Sequence, residues 1–246
     1  MSSSNPALAP PLAPPPGAPT LAREPLEHGT NFWIGDAALA DPHAVRARLL
    51  GQRRWNLGYP HRAETWPGMR FPDALGPDEL ARVEAWVRGA TGCERLWVAT
   101  APGGARLDCN VAQSVGAGES GPRPHTDRRD LCRYAAVLYL NPDPPAGTGT
   151  GTSFYRLRYA NGALGGNACP PPHDNLLQAL RVTRLPPGAW VEELRVDNVF
   201  NRLLLYKASL VHSATGYFGQ AMADRRLTVA FFWMADRAPS PERPFE

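Results

Sequence analysis

The sequence predicts a mainly β α+β protein, a sandwich or barrel of short strands with a few helices near the front. Three observations carry this. Proline (27) and glycine (23) together make up about a fifth of the 246 residues, against a usual share of roughly 12%. That density of turn residues breaks long helices. After residue 94 the apolar segments become short and are separated by Gly/Pro/Asp clusters, the pattern of sandwiches, barrels and jelly rolls. A hydrophobic content of 43% with 9% aromatics supports a packed core and excludes a wholly disordered chain.

Residues 1–28 open with Pro10-Pro11, Pro14-Pro15-Pro16 and Pro19 among alanines and serines. Such a stretch favours coil or polyproline II and reads as a flexible leader. It lacks the basic start and apolar run of a signal peptide. Order is expected from Asn31-Phe32-Trp33-Ile34, so that residues 29–238 form one domain and 239–246 a flexible tail. Asp41-Pro42 reads as an N-cap followed by proline at the first helical position, opening a helix to Leu49-Leu50. Pro77-Asp78-Glu79 announces a second helix, with Leu80, Val83 and Val87 spaced three to four apart and Gly89 and Gly92 at its end. Trp55 to Phe71 reads as irregular. Strands are expected at 95–101, 107–115, 132–140, 152–158, 189–194, 202–208 and 226–233, with a further helix over 174–181. The long 159–187 segment reads as a lid or a surface decoration.

Bulk properties exclude several function classes. A net charge of +3 without a basic, aromatic-interleaved stripe gives no footprint for nucleic acid. No stretch reaches the roughly 18–20 apolar residues of a membrane span. Cys93, Cys109, Cys132 and Cys169 form no Cys-x-x-Cys pair, so no zinc ribbon or thioredoxin-like site is indicated, and a reducing, cytoplasmic setting is expected.

The chemistry concentrates in three places. In His125-Thr126-Asp127, residues i and i+2 of an extended chain point the same way, so an imidazole and a carboxylate converge. His212 ends the apolar run beginning at Leu203. Two histidines and one carboxylate on one face of a metal leave coordination positions open, the facial triad of non-haem iron(II) oxygenases. Arg226-Leu227-Thr228 then opens an apolar strand. Arginine and threonine share a face there, a guanidinium fork beside a hydroxyl that suits a carboxylate. Arg225 is the rival, but its i+2 partner, Leu227, cannot donate.

The order Pro124-His125-Thr126-Asp127, Tyr139-Leu140-Asn141, Gly149-Thr150-Gly151-Thr152-Ser153-Phe154, Ser209-Leu210-Val211-His212 and Arg226-Leu227-Thr228 resembles the prolyl-4-hydroxylase-like branch of the 2-oxoglutarate/iron(II)-dependent dioxygenases, and an uncharacterised bacterial group within it. The Phe32–Asp36 and Trp66-Pro67-Gly68 segments add to the likeness, which spans about residues 30–235. It implies a double-stranded β-helix, or jelly roll, with N-terminal helices packed on one sheet. It implies Fe(II) on His125, Asp127 and His212, and 2-oxoglutarate and O2 as co-substrates. The far carboxylate of 2-oxoglutarate would sit on Arg226 and Thr228. Tyr139 matches a position whose phenol reaches that carboxylate, or else is a core aromatic. The family's tyrosine on the preceding strand is missing, with Gln113 or Asn110 as substitutes, and the 14-residue gap from His212 to Arg226 implies an inserted loop.

The implied activity is hydroxylation of an amino acid, a peptidyl side chain or a small natural product, with no nucleic-acid or membrane partner. Arg123, Arg128, Tyr134 and Trp66 are the main substrate-contact candidates, with Arg70 and Arg129 beside them. The alternatives are a cupin-like dioxygenase that uses no 2-oxoglutarate, a non-catalytic binding module and a zinc hydrolase.

Overall fold

A computed structural model describes residues 12–57, 67–146, 149–185 and 188–236. Chain order is β1 (Phe32–Gly35), α1 (Pro42–Leu50), β2 (Asn56–Leu57), β3 (Met69–Phe71), α2 (Pro77–Thr91), β4 (Leu96–Trp97), β5 (Val111–Val115), β6 (Tyr134–Tyr139), β7 (Thr152–Leu157), α3 (Leu176–Leu180), β8 (Trp190–Val196), β9 (Leu203–Lys207), β10 (His212–Ala214) and β11 (Arg226–Ala235).

The helix signals act as their chemistry requires. The Asp41 carboxylate accepts from the Ala44 N–H at 2.9 Å and Pro42 occupies the first turn, satisfying one of the orphan donors of a helix start. The Glu79 carboxylate accepts from the Gly76 N–H at 2.8 Å, and α2 closes on Gly92 at φ +72°, a left-handed cap that glycine adopts without strain. Gly89 lies inside α2 and does not end it.

The strands form two antiparallel sheets. The larger runs β1-β9-β6-β11-β5-β3-β2, with β4 also paired to β11; the smaller runs β10-β7-β8. An isolated bridge between His125 and His212 adds the His125 segment to the edge of the smaller sheet. From β5 onward the chain visits the large sheet, the His125 segment, the large sheet at β6, the small sheet at β7 and β8, the large sheet at β9, the small sheet at β10 and the large sheet at β11. This is a jelly roll.

Side-chain alternation divides each strand between two interiors. Leu227, Val229, Phe231 and Trp233 of β11 join Val45 and Leu49 of α1 and Val83 and Val87 of α2 in a core on the outer face of the large sheet. The expected packing of the N-terminal helices on one sheet is thus present. The opposite side of the large sheet faces the small one, where Phe32, Ala135, Tyr139, Phe154, Leu204 and Tyr206 pack together.

Several expectations are corrected. Part of the segment expected to be a leader is docked on the fold. Leu21 is 6% exposed, Ala22 bridges Ala168, and the Glu24 N–H and carbonyl pair with the Asn167 amide at 2.8 Å each. The stretch docks this way because Leu21 joins the third core cluster, with Tyr155, Leu157, Leu176 and Leu180, while Ala22 and Leu26 pack against the core between the sheets. Of the 159–187 segment, Tyr159, Leu176, Leu180 and Leu185 pack in that same cluster, on the outer side of the small sheet, which fits a surface decoration and not a lid. Part of the stretch read as irregular forms β2 and β3, which extend the large sheet: β3 pairs with β5 and β2 with β3. No helix among the described residues is long and apolar enough to cross a membrane. The four cysteines are unpaired.

Candidate metal centre

The triad is assembled by strand pairing. His125 and His212 are direct cross-strand partners that exchange both backbone hydrogen bonds, at 3.0 and 2.9 Å. Opposed residues in an antiparallel ladder project to the same face, and the two imidazole centroids lie 4.4 Å apart. Asp127, two residues on, returns to that face. Its Oδ1 is 3.9 Å from His125 Nε2 and its Oδ2 is 3.7 Å from His212 Nε2. One ligand atom from each side chain lies within 4.8 Å of the others.

Each imidazole is oriented from behind. His125 Nδ1 meets the Arg123 carbonyl at 2.7 Å and His212 Nδ1 meets the Leu210 carbonyl at 2.9 Å. A carbonyl accepts only, so Nδ1 carries the proton and Nε2 presents its lone pair to the triad. This is the supporting arrangement usual for metal-bound histidine. Burial holds the His125 imidazole down to about 4 and pushes His212 well below its usual range. Both are neutral ligands at neutral pH. Burial pushes the Asp127 carboxyl up to about 7. Its Oδ2 is sealed from solvent with no hydrogen-bond partner, a costly state for a carboxylate that a cation would relieve. Two neutral imidazoles and one unpartnered buried carboxylate fit a divalent metal of the iron(II) type.

The triad opens into a cavity between the sheets that Arg226, Thr228, Thr152, Gln113, Tyr217 and Arg70 also line. Strand parity puts Arg226, Thr228, Ala230 and Phe232 inward. Arg225 faces away and pairs with Glu119 at 2.7 Å. Arg226 is 3% exposed. Its Nε and Nη2 donate to the Thr150 and Gly151 carbonyls at 2.9 and 3.2 Å, leaving Nη1 with no partner among the described residues. The rings of Tyr139 and Tyr217 flank the guanidinium, with centroids 5.7 and 5.8 Å from Cζ.

Other sequence-predicted site residues fall differently. Tyr139 does not line the cavity; its phenol donates to Thr152 Oγ1 at 2.8 Å, so it backs Arg226. Tyr134 is turned to the opposite side of β6, where it packs edge-on against Trp33 in the helix-facing core. Its even separation from Ala136 and Leu138 puts it there, and the substrate role is withdrawn. Arg128 lies on the surface in a fork on Asp130 at 3.0 and 2.5 Å, a local pair that draws it from the cavity. Arg129 donates to the Cys169 carbonyl instead of lining the cavity. Arg123 and Arg70 do line it. Trp66 lies outside the described residues. Of the two proposed substitutes for the missing tyrosine, Gln113 lines the cavity, whereas the Asn110 amide clamps the Leu75 backbone at 2.8 and 2.9 Å.

Two contributors escaped the sequence reading. Tyr217 reaches the cavity from the loop between β10 and β11, where its neighbours in sequence gave no periodic signal. The Asn141 amide accepts from the Leu227 N–H and donates to the Arg225 carbonyl, both at 2.8 Å, and so pins the backbone on either side of Arg226. The Tyr-Leu-Asn motif contained this residue, but its partners lie more than 80 residues away.

The chain matches no family model and no curated protein. Solved structures of similar fold do match. One is the non-heme alpha ketoglutarate dependent epimerase SnoN from nogalamycin biosynthesis, with a TM-score of 0.50 and 17% identity over 83% of this chain and 78% of that one. Two others are a Trichoplax adhaerens prolyl hydroxylase in complex with a peptide fragment (TM-score 0.47, 14% identity, 83% and 84% covered) and HygX from Streptomyces hygroscopicus with nickel, 2-oxoglutarate and hygromycin B bound (0.47, 17%, 83% and 83%). At 17% identity the match to SnoN is a likeness of fold, and it agrees with the jelly roll traced above.

Proposed function

We propose that the protein is an iron(II)- and 2-oxoglutarate-dependent oxygenase, of hydroxylase type, acting on an amino acid, a peptidyl side chain or a small natural product. One observation carries the reading: a buried His-Asp-His cluster with an unpartnered carboxylate oxygen shares its cavity with an inward Arg226 and Thr228. The arginine argues against a zinc hydrolase or a cupin-like enzyme without a keto-acid co-substrate, since neither has use for a buried cation fork beside the metal.

His125 Nε2, Asp127 and His212 Nε2 would hold the iron. Arg226 Nη1 and the Thr228 hydroxyl would bind the far carboxylate of 2-oxoglutarate. When bound, iron and 2-oxoglutarate supply the oxidation of an unactivated C–H bond by O2, with succinate and CO2 as co-products. The chain positions these groups and excludes water: Phe232, Ala230 and Val137 line the cavity with apolar surface, and Tyr139 and Tyr217 hold the Arg226 plane. Unpaired cysteines fit the reducing, cytoplasmic setting that belongs to this reading.

The test is succinate formation from 2-oxoglutarate by the iron-loaded protein, together with a metal-to-ligand charge-transfer band on anaerobic mixing. Asp127→Ala is expected to abolish both. Succinate formed by that variant at the parent rate overturns the assignment.

A further inference from the structure

The cavity lining holds more cationic side chains than a keto acid would engage. In the reading above, one end of 2-oxoglutarate goes to the metal and the other to Arg226. Arg70 then remains. It lies on β3, pairs in register with Gln113 of β5, and Gln113 pairs with Thr228 of β11. All three line the cavity. Two strand spacings put Arg70 roughly 10 Å from Thr228 along the sheet, which separates it from the Arg226 pocket.

Arg70 is 9% exposed, and its only hydrogen bonds among the described residues run from Nη1 to the backbone carbonyls of Pro67 and Met69, at 3.0 and 3.5 Å. No carboxylate of the described residues pairs with it. Nε and Nη2 have no hydrogen-bond partner there, yet they are not among the sealed polar atoms, and Arg70 lines both the cavity and the recess beside it. Asp108 and Tyr217, which also line it, act on Arg70 only at longer range, and Asp108 itself stands 4.0 Å from Arg106. Burial lowers the Arg70 guanidinium to about 10, so it stays charged at neutral pH. A buried, charged fork without a directly hydrogen-bonded carboxylate is costly unless a ligand supplies an anion. Arg123 adds a second cation to the lining, and Arg70 is shared with an adjoining recess that includes Asn56 and Val98.

We propose that the substrate carries a carboxylate or phosphate group that Arg70 binds through Nε and Nη2, while the C–H bond to be oxidised lies over the His125–Asp127–His212 centre. The inference rests on the oxygenase reading and narrows it: the substrate is a small anionic molecule anchored at one end, not a neutral side chain within a peptide.

The experiment uses the full chain saturated with Mn(II) and 2-oxoglutarate under argon, titrated calorimetrically with acetate, acetamide and methyl phosphate. Acetate or methyl phosphate is expected to bind, acetamide not, and Arg70→Gln to weaken the anion by about tenfold or more. Arg70→Lys, which keeps the charge and loses the fork, is expected to fall between, and it decides the matter if Arg70→Gln does not fold. Acetate alone identifies a carboxylate substrate and methyl phosphate alone a phosphate ester. Equal binding of acetate and acetamide, no binding by any probe, or affinities unchanged in both variants overturns the proposal. Failure to take up Mn(II) and 2-oxoglutarate overturns the oxygenase reading instead, and the metal-free protein then serves for the same anion titration.

Discussion

At the scale of single residues, the site is a set of side chains whose environments leave them incomplete. Asp127 has a sealed oxygen without a partner, and Arg226 has donors left over after two carbonyls are served. The two histidines enter metal binding already neutral, so near neutrality Asp127 is the one ligand whose proton the metal must displace. Its carboxyl is raised to about 7; below that pH the metal-free site is protonated, and metal binding drives the proton off. Metal affinity is therefore expected to fall with falling pH below 7, by at most about tenfold per unit, with close to one proton released per ion near pH 6. Calorimetry in buffers of different ionisation enthalpy measures that release; no release at pH 6 contradicts the assignment. For Arg226→Gln, the loss of a charged hydrogen-bonding contact made in all bound states raises the KM for 2-oxoglutarate by about ten- to a hundredfold. Arg225→Gln, whose partner is Glu119, leaves that KM within about twofold. If the two variants exchange behaviours, the strand-parity argument is wrong.

At the scale of elements, the site depends on registers and on the joints that hold them. The His125–His212 pairing sets two ligands side by side, and a slip of one residue would turn either imbedded side chain to the other face. Asn141 fixes the entry of β11. Removing its amide leaves the Leu227 N–H and the Arg225 carbonyl unsatisfied at a buried joint. Asn141→Ala is expected to lower stability by about 2 kcal/mol and to raise the KM for 2-oxoglutarate, because the backbone that carries Arg226 is loosened. Chemical denaturation and steady-state kinetics together test this; a loss of stability with an unchanged KM would confine Asn141 to the fold. Gly151 has a similar role just before β7, where a Cβ would stand 1.9 Å from the Val196 carbonyl oxygen while the Gly151 carbonyl accepts from Arg226. The helix caps and strand parities were legible in the sequence because they rest on contacts within a few residues. The short strands β2, β3 and β10 were not, since two or three residues have no periodicity to read and exist only through pairing, β2 with β3, β3 with β5 and β10 with β7.

At the scale of the whole molecule, the N-terminal segment is part of the structure. Leu21 is buried and residues 22–24 are held by Ala168 and Asn167. A chain starting at Glu27 is expected to melt below one starting at Leu12, by an amount equivalent to about 2–4 kcal/mol for the lost apolar burial and hydrogen bonds. Equal melting temperatures would mean that the segment is only laid on the surface. The sequence by itself determined the mainly β class, the two N-terminal helices, the shared face of His125 and Asp127 and that of Arg226 and Thr228, because each follows from residue type and from periodicities of two or 3.6 along the chain. Only the tertiary structure decided that His212 stands opposite His125, that Tyr134 leaves the cavity, that Arg70 and Tyr217 enter it, and that Leu21 packs against the small sheet. Those outcomes depend on which segment lies beside which, and pairings such as Arg70 with Gln113, His125 with His212 and Ala22 with Ala168 leave no mark in the local sequence.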